Sequence, residues 1–134
     1  MEKMINTLQP YILLISRFLL AAIFINAGWG KIGGYAGTQA YMDSMGVPGA
    51  MLPLVILLEL GGGLAILFGL LTRFSALSIA AFSVISAFLF HYDPSNSGQM
   101  IHFMKNISIA GGFLALVAIG PGKISIDAKL NKHW

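Results

Sequence analysis

The sequence contains no cysteine. That absence excludes intrinsic dithiol exchange, a thiolate nucleophile, iron–sulfur ligation by thiolates and covalently attached haem of the usual kind. Charge is scarce as well: Asp, Glu, Lys and Arg make up 10% of the residues, against about 25% in an ordinary soluble domain. The few basic residues neither cluster nor interleave with aromatics, so the reading has no nucleic-acid partner. There is no glycine fingerprint for a nucleotide and no internal or inverted repeat. What is abundant is apolar: 57% of the 134 residues are hydrophobic, and the mean hydropathy is +0.80. This is a membrane-protein composition, and the lipid bilayer is the first partner it implies.

At roughly 20 residues per crossing, four spans consume nearly the whole chain and leave no room for a soluble catalytic head. Residues 1–134 are therefore expected to form a single all-α domain. The expected architecture is a transmembrane four-helix bundle with spans at about 10–30, 52–72, 74–90 and 103–119. Pro10 suits the first turn of the first span. No small-x-small cleavage site follows that span, so Tyr11 to Trp29 is expected to be a retained helix. Tyr35, Tyr41, Met42 and Met45 are spaced as a short amphipathic helix at the membrane surface, in the first outward loop. Thr72-Arg73 is the expected tight connection, and His91 to His102 the expected outer loop. Gly120-Pro121-Gly122 stops the last span.

Four spans place both ends on one side. That side holds Lys3, Arg73, Lys123, Lys129 and Lys132, the other only Lys31 and Lys105, so the positive-inside rule puts both termini in the cytoplasm. Packing is expected from small residues that let backbones approach in lipid: Gly61, Ala65 and Gly69, then Ala76, Ala80, Ser83 and Ala87, then Gly111 and Gly112.

Polar residues at membrane depth carry the functional question. Glu59 sits inside the apolar run Leu52 to Phe74, where a carboxylate costs about 2.5 kcal/mol or more and requires a partner or a role. At 1.5 Å per residue Glu59 lies roughly 3 Å outward of its midplane, Lys105 and Asn106 roughly 8–9 Å outward, and Arg17 about 5 Å inward. A buried pair of Glu59 with Arg17 or Lys105 is the natural expectation. Helical phase puts Arg17, Phe24, Gly28 and Lys31 on one face; Glu59, Gly62, Gly63, Ile66 and Arg73 on another; and Lys105, Ser108 and Gly112 on a third. A polar pocket lined by Glu59, Lys105, Asn106 and Arg17 is the functional reading. Structural ion pairing, with Lys31, Arg73 and Lys105 snorkelling to headgroups, is the alternative.

His91 and His102 are the only metal candidates, and two histidines near Asp93 make a thin ligand set without a recognised spacing. Trp29 and Trp134 read as headgroup-level anchors. The outer methionines read as gap fillers rather than copper ligands.

Several stretches together resemble the DoxX family of small four-span membrane proteins over nearly the full length. They are the Arg17-containing first span ending in FINAGWGKIGGYAGT, then YMDSMGVPGAMLPLVILLELGGGLAILFGLLTR, then AFLFH, and finally FMKNISIAGGFLAL followed by GPGKISID. The resemblance implies a helical bundle in the bacterial inner membrane, associated with quinone-linked oxidoreduction as an enzyme or an enzyme's partner. Its characteristic polar positions would be Arg17, Lys31, Glu59, Arg73, Lys105 and Asn106, and it brings no catalytic assignment.

Three functions follow as expectations. The first is a membrane component docking a redox-protein partner or a second copy of itself. The second is a quinone- or small-aromatic-linked oxidoreductase in which the Glu59 region supplies a proton and Lys105 or Arg17 stabilises a reduced oxygen. On that reading Glu59, Lys105, Asn106 and Lys31 would also be the quinone-binding candidates. The third is a carrier subunit, which four spans could form only as an oligomer.

Overall fold

The computed structural model describes residues Met1 to Trp134 and contains helices and no strands. Helix α1 spans Glu2–Gly33, α2 Tyr35–Ser44, α3 Gly49–Phe68, α4 Thr72–His91, α5 Ser97–Ile119 and α6 Ile126–Lys129. Four of these, α1, α3, α4 and α5, are long and apolar enough to cross a membrane. The chain is thus an all-α membrane bundle, with α2 as a short helix between the first two spans.

Its burial pattern is that of a protein dissolved in lipid. Only 23 residues are buried, while large apolar side chains such as Leu19, Leu57 and Phe74 stay about two-thirds exposed or more. The core is narrow and mixes small with large: Ala21, Phe24, Ile66, Ala76, Ile79, Ala80, Ala110, Phe113 and Leu116. Phe24 meets Phe113 edge-on at 5.5 Å between ring centroids. With no hydrophobic drive between helices in a bilayer, such close packing is what holds the spans together.

The expected α4 stripe is the real packing face: Ala76, Ala80, Ser83 and Ala87 are all buried. On α3 the packing face is instead the one shared by Glu59, Gly63 and Ile66, whereas Gly61 is exposed. A tight contact joins α1 to α3 at Gly28, where a Cβ would stand 2.8 Å from Leu60 N and Cβ, so only glycine fits without moving a backbone. On α5, Gly112 packs against Leu20 and Gly111 faces open space.

Three boundaries differ from expectation. Helix α1 begins at Glu2 and carries Pro10 within it, its apolar run prolonged by a polar extension. Helix α4 begins at Thr72, so Thr72 and Arg73 form a first helical turn, and the connection is Gly69 to Leu71. Gly69 ends α3 in the left-handed region (φ 70°) with Leu70 N bonding Ala65 O and Gly69 N bonding Ile66 O. This is the paired closure that satisfies the last carbonyls of a helix. Helix α5 starts at Ser97, because the Asn96 side chain caps Gln99 N at 3.2 Å. The outer loop shrinks to Tyr92–Asn96 accordingly, and His102 lies on a helix.

Candidate functional site

Glu59 is buried inside a π-helical turn, Leu57–Gly61, that interrupts α3. The extra residue in such a turn shifts helical phase, and π turns recur at functional positions. The carboxylate faces α1, where Lys31 reaches it: Nζ lies 2.8 Å from Oε1 and donates to Oε2 at 3.2 Å. The pair is lopsided, with the Lys31 side chain 30% exposed and that of Glu59 4%. Gly28 brings the two helices close enough for this reach, since it sits one turn before Lys31 and against the residue after Glu59.

The expected pair of Glu59 with Arg17 or Lys105 is not formed. Lys31 shares the inward face of α1 with Arg17, and α1 runs antiparallel to α3, so Lys31 is the cation at the depth of Glu59. Arg17 lies three to four turns away, near the opposite end. There it is 2% exposed and donates to Pro121 O (2.7 Å), Ile124 O (2.7 Å) and Leu67 O (3.1 Å). A guanidinium satisfies several divergent carbonyls at once, which an ammonium does less well. Arg17 therefore ties the tail to the end of α3.

Asp127 completes this second cluster, and nothing in the helical phase of the spans pointed to it. Its carboxylate accepts from Leu71 N and Thr72 N, both at 2.9 Å, and from Trp134 Nε1 at 2.8 Å. Two of those donors are unpaired amides at the start of α4, where a negative charge also meets the positive end of the helix dipole. Burial by itself pushes the Asp127 carboxyl up, but the hydrogen bonds from Thr72, Leu71 and Trp134 outweigh it and hold the group below its ordinary value. Leu71, left-handed at φ 50°, is kept in that costly conformation by its bond to Asp127. Trp134, expected as a headgroup anchor, instead has its indole on Asp127 and its O accepting from Arg73 N (2.9 Å) and Phe74 N (3.1 Å). A lone carboxylate after the Gly-Pro-Gly stop, close to a helix start lacking its own cap, was the available signal.

The other candidates separate. Lys105 is exposed on the surface of α5 beside Met104 and Ser108, so of the expected inward face Lys105 and Ser108 are turned away from the core while Gly112 packs on Leu20. Ala110, Phe113 and Leu116 take the inward positions because they pack against Phe24 and the alanines of α4. Asn106 is half-buried and donates to Ser86 Oγ at 3.3 Å, tying α5 to α4. His91 and His102 do come together, with ring centroids 5.4 Å apart, and His91 Nδ1 bonds Gln99 Oε1 at 2.9 Å. No group of three or more histidine, cysteine or acidic side chains converges anywhere in the chain as a metal site would require. Helix α2 is pinned above the Glu59 end by Asp43, which accepts from Gly49 N at 2.7 Å, and by Tyr41 stacked on Phe90.

Comparison with known proteins places these features in context. A family model described as DoxX matches residues 12–92, the first three spans including Arg17, Lys31 and Glu59. The chain is 61% identical to "Inner membrane protein YqjF" of Escherichia coli (strain K12), over 90% of this chain and 93% of the relative. It is 38% identical to "Inner membrane protein YphA" of the same organism, over 90% of this chain and 91% of that one. A Haemophilus influenzae protein named only "Uncharacterized protein" is 28% identical over 91% of the chain. No solved structure matches.

Proposed function

The chain belongs to the DoxX family, and from that premise we propose that it is a non-catalytic inner-membrane component that docks a redox-related partner protein. The observation that carries this reading is how the ionisable residues at depth are used. Arg17 is spent on three carbonyls of its own chain and Glu59 on Lys31. Lys105, which would have joined them in a reaction centre, stands on the outer surface of α5. An acid, a base and an oxyanion donor around one space are what catalysis of the expected type needs, and these residues are dispersed along the bundle instead. The exposed faces of α1 and α5 leave ample surface for a partner's spans. The excess of Lys and Arg on the side of both termini supports a cytoplasmic placement for them. Gentle solubilisation followed by crosslinking and native mass spectrometry tests this. A defined partner at fixed stoichiometry is expected; recovery of the chain alone after crosslinking overturns the reading.

One observation favours a second reading, a quinone-linked activity at the Glu59 end. Lys31 is partly open to the outside and has three N–H donors, so it can hold a carbonyl oxygen while Glu59 stands behind it as a proton carrier. Glu59→Gln in lipid, assayed for quinone binding and turnover, discriminates. Unchanged binding and turnover sink this second reading and leave the first standing.

A further inference from the structure

A cleft of about 490 Å³ opens at the tail end of the bundle, between the polar extension of α1, the first turn of α4 and the segment after α5. One wall is apolar and belongs to the spans: Pro10, Leu13 and Ile119. The rim is cationic, with Arg73, Lys123 and Lys132 beside His133, and no carboxylate lines any part of it. None of these cations is in an ion pair, because the single salt bridge of the molecule is Lys31 with Glu59 at the opposite end. The Arg73 side chain makes one long bond, to Ile119 O at 3.4 Å, and its Nε is buried without a partner. The depth is set by Ile119, the last residue of α5, and by Arg73, the second of α4. The cleft therefore sits where the apolar spans stop and headgroups begin.

We propose that this cleft binds the headgroup of an anionic glycerophospholipid, its phosphate on Arg73, Lys123 and Lys132 and its first acyl carbons along Leu13 and Ile119. Basic pockets between spans at the headgroup level are where such lipids are held. The guanidinium of Arg73 suits a phosphate through paired donors, and the two lysines add charge without fixed geometry. A free phosphate would use the rim but gain nothing from the apolar wall. The site is independent of Glu59 and of any catalytic or docking role.

Native mass spectrometry of the full chain in mild detergent, titrated with phosphatidylglycerol or phosphatidylcholine of matched acyl chains, tests the proposal. Phosphatidylglycerol is expected to be retained at least roughly tenfold more strongly, and Lys123→Gln with Lys132→Gln to lower that retention roughly ten- to thirtyfold. Lys105→Gln, which removes a cation from the far end of the bundle, should leave it unchanged. Should the double variant melt differently from the parent, Gln9→Glu, which adds a carboxylate to the cleft from exposed α1, is expected to lower retention in the same direction. Equal retention of the two lipids overturns the proposal. So does a Lys105→Gln effect as large as that of the tail variant, or displacement of the lipid by an equal concentration of inorganic phosphate.

Discussion

The two ends of the bundle hold buried charge in opposite ways. At the tail end, Arg17 and Asp127 are each bonded to three groups, most of them backbone, drawn from α3, α4 and the segment after α5. At the other end Glu59 has one partner, a lysine whose side chain remains partly open, in a stretch of α3 that has left regular helical geometry. The first arrangement closes a fold: remove one member and several backbone groups lose their partners together. The second is a local pair that can open without unravelling anything beyond it. Charge at membrane depth is thus not one phenomenon in this protein. Where many backbone groups converge on it, it is architecture; where a single, partly exposed side chain answers it, it is a local pair.

The largest test of this contrast is Arg17→Met. It leaves three carbonyls without their charged donor, and removing one partner of a buried charged interaction costs about 3–5 kcal/mol, which is the loss expected here. Unfolding in detergent monitored by circular dichroism measures it, and limited proteolysis should show the tail cleaved first. A stable variant with a protected tail would mean that the tail docks without its arginine. Asp127→Asn should cost less, about 2 kcal/mol, because the amide keeps one acceptor oxygen for the α4 amides and loses the charge.

The pH dependence of the same end follows from the lowered Asp127 carboxyl. A group whose folded value lies below its unfolded one contributes stability in full above the unfolded value, about 3.9 for aspartate, and loses it as pH falls through the folded value. Tail docking, read by tryptophan fluorescence of Trp134 with Trp29 replaced by Phe, should be flat between about pH 5 and 8 and weaken only below about 4.

Gly28→Ala sharpens the comparison at the opposite end. Its Cβ would overlap the Leu60 backbone, and relieving that contact is expected to cost about 1–3 kcal/mol and to spread Lys31 from Glu59. Gly111→Ala, facing open space, should stay within about 0.5 kcal/mol of the parent in the same melting experiment. A modest effect is expected for the charge pair, larger only than that of Gly111→Ala. A double-mutant cycle of Lys31→Met and Glu59→Gln should give a coupling of about 1 kcal/mol, as suits a pair with one partly exposed member. A coupling as large as the Arg17 loss would erase the distinction between the two ends.

Four spans, the inward face of α1, the packing face of α4 and the singularity of Glu59 were readable in the order of residues. Apolar run length and a repeat near 3.6 residues are local properties, and a bilayer leaves a chain few ways to satisfy its backbone other than as helices. The partners were not readable. Lys31 and Arg17 lie on one face of one helix, and which of them meets Glu59 depends on how far α1 slides along α3, a register set by the contact of Gly28 with Leu60. The direction in which α5 turns Lys105 was decided by Phe113 and Leu116 competing for the core. Asp127 found its amides only because the Gly69 turn ends α3 at the depth of the returning tail. Sequence alone determined that Arg17 and Glu59 would lie at depth, on the first and second spans. The tertiary structure decided which charges meet, because a pairing is a property of depth and rotation between helices and no single helix carries that information.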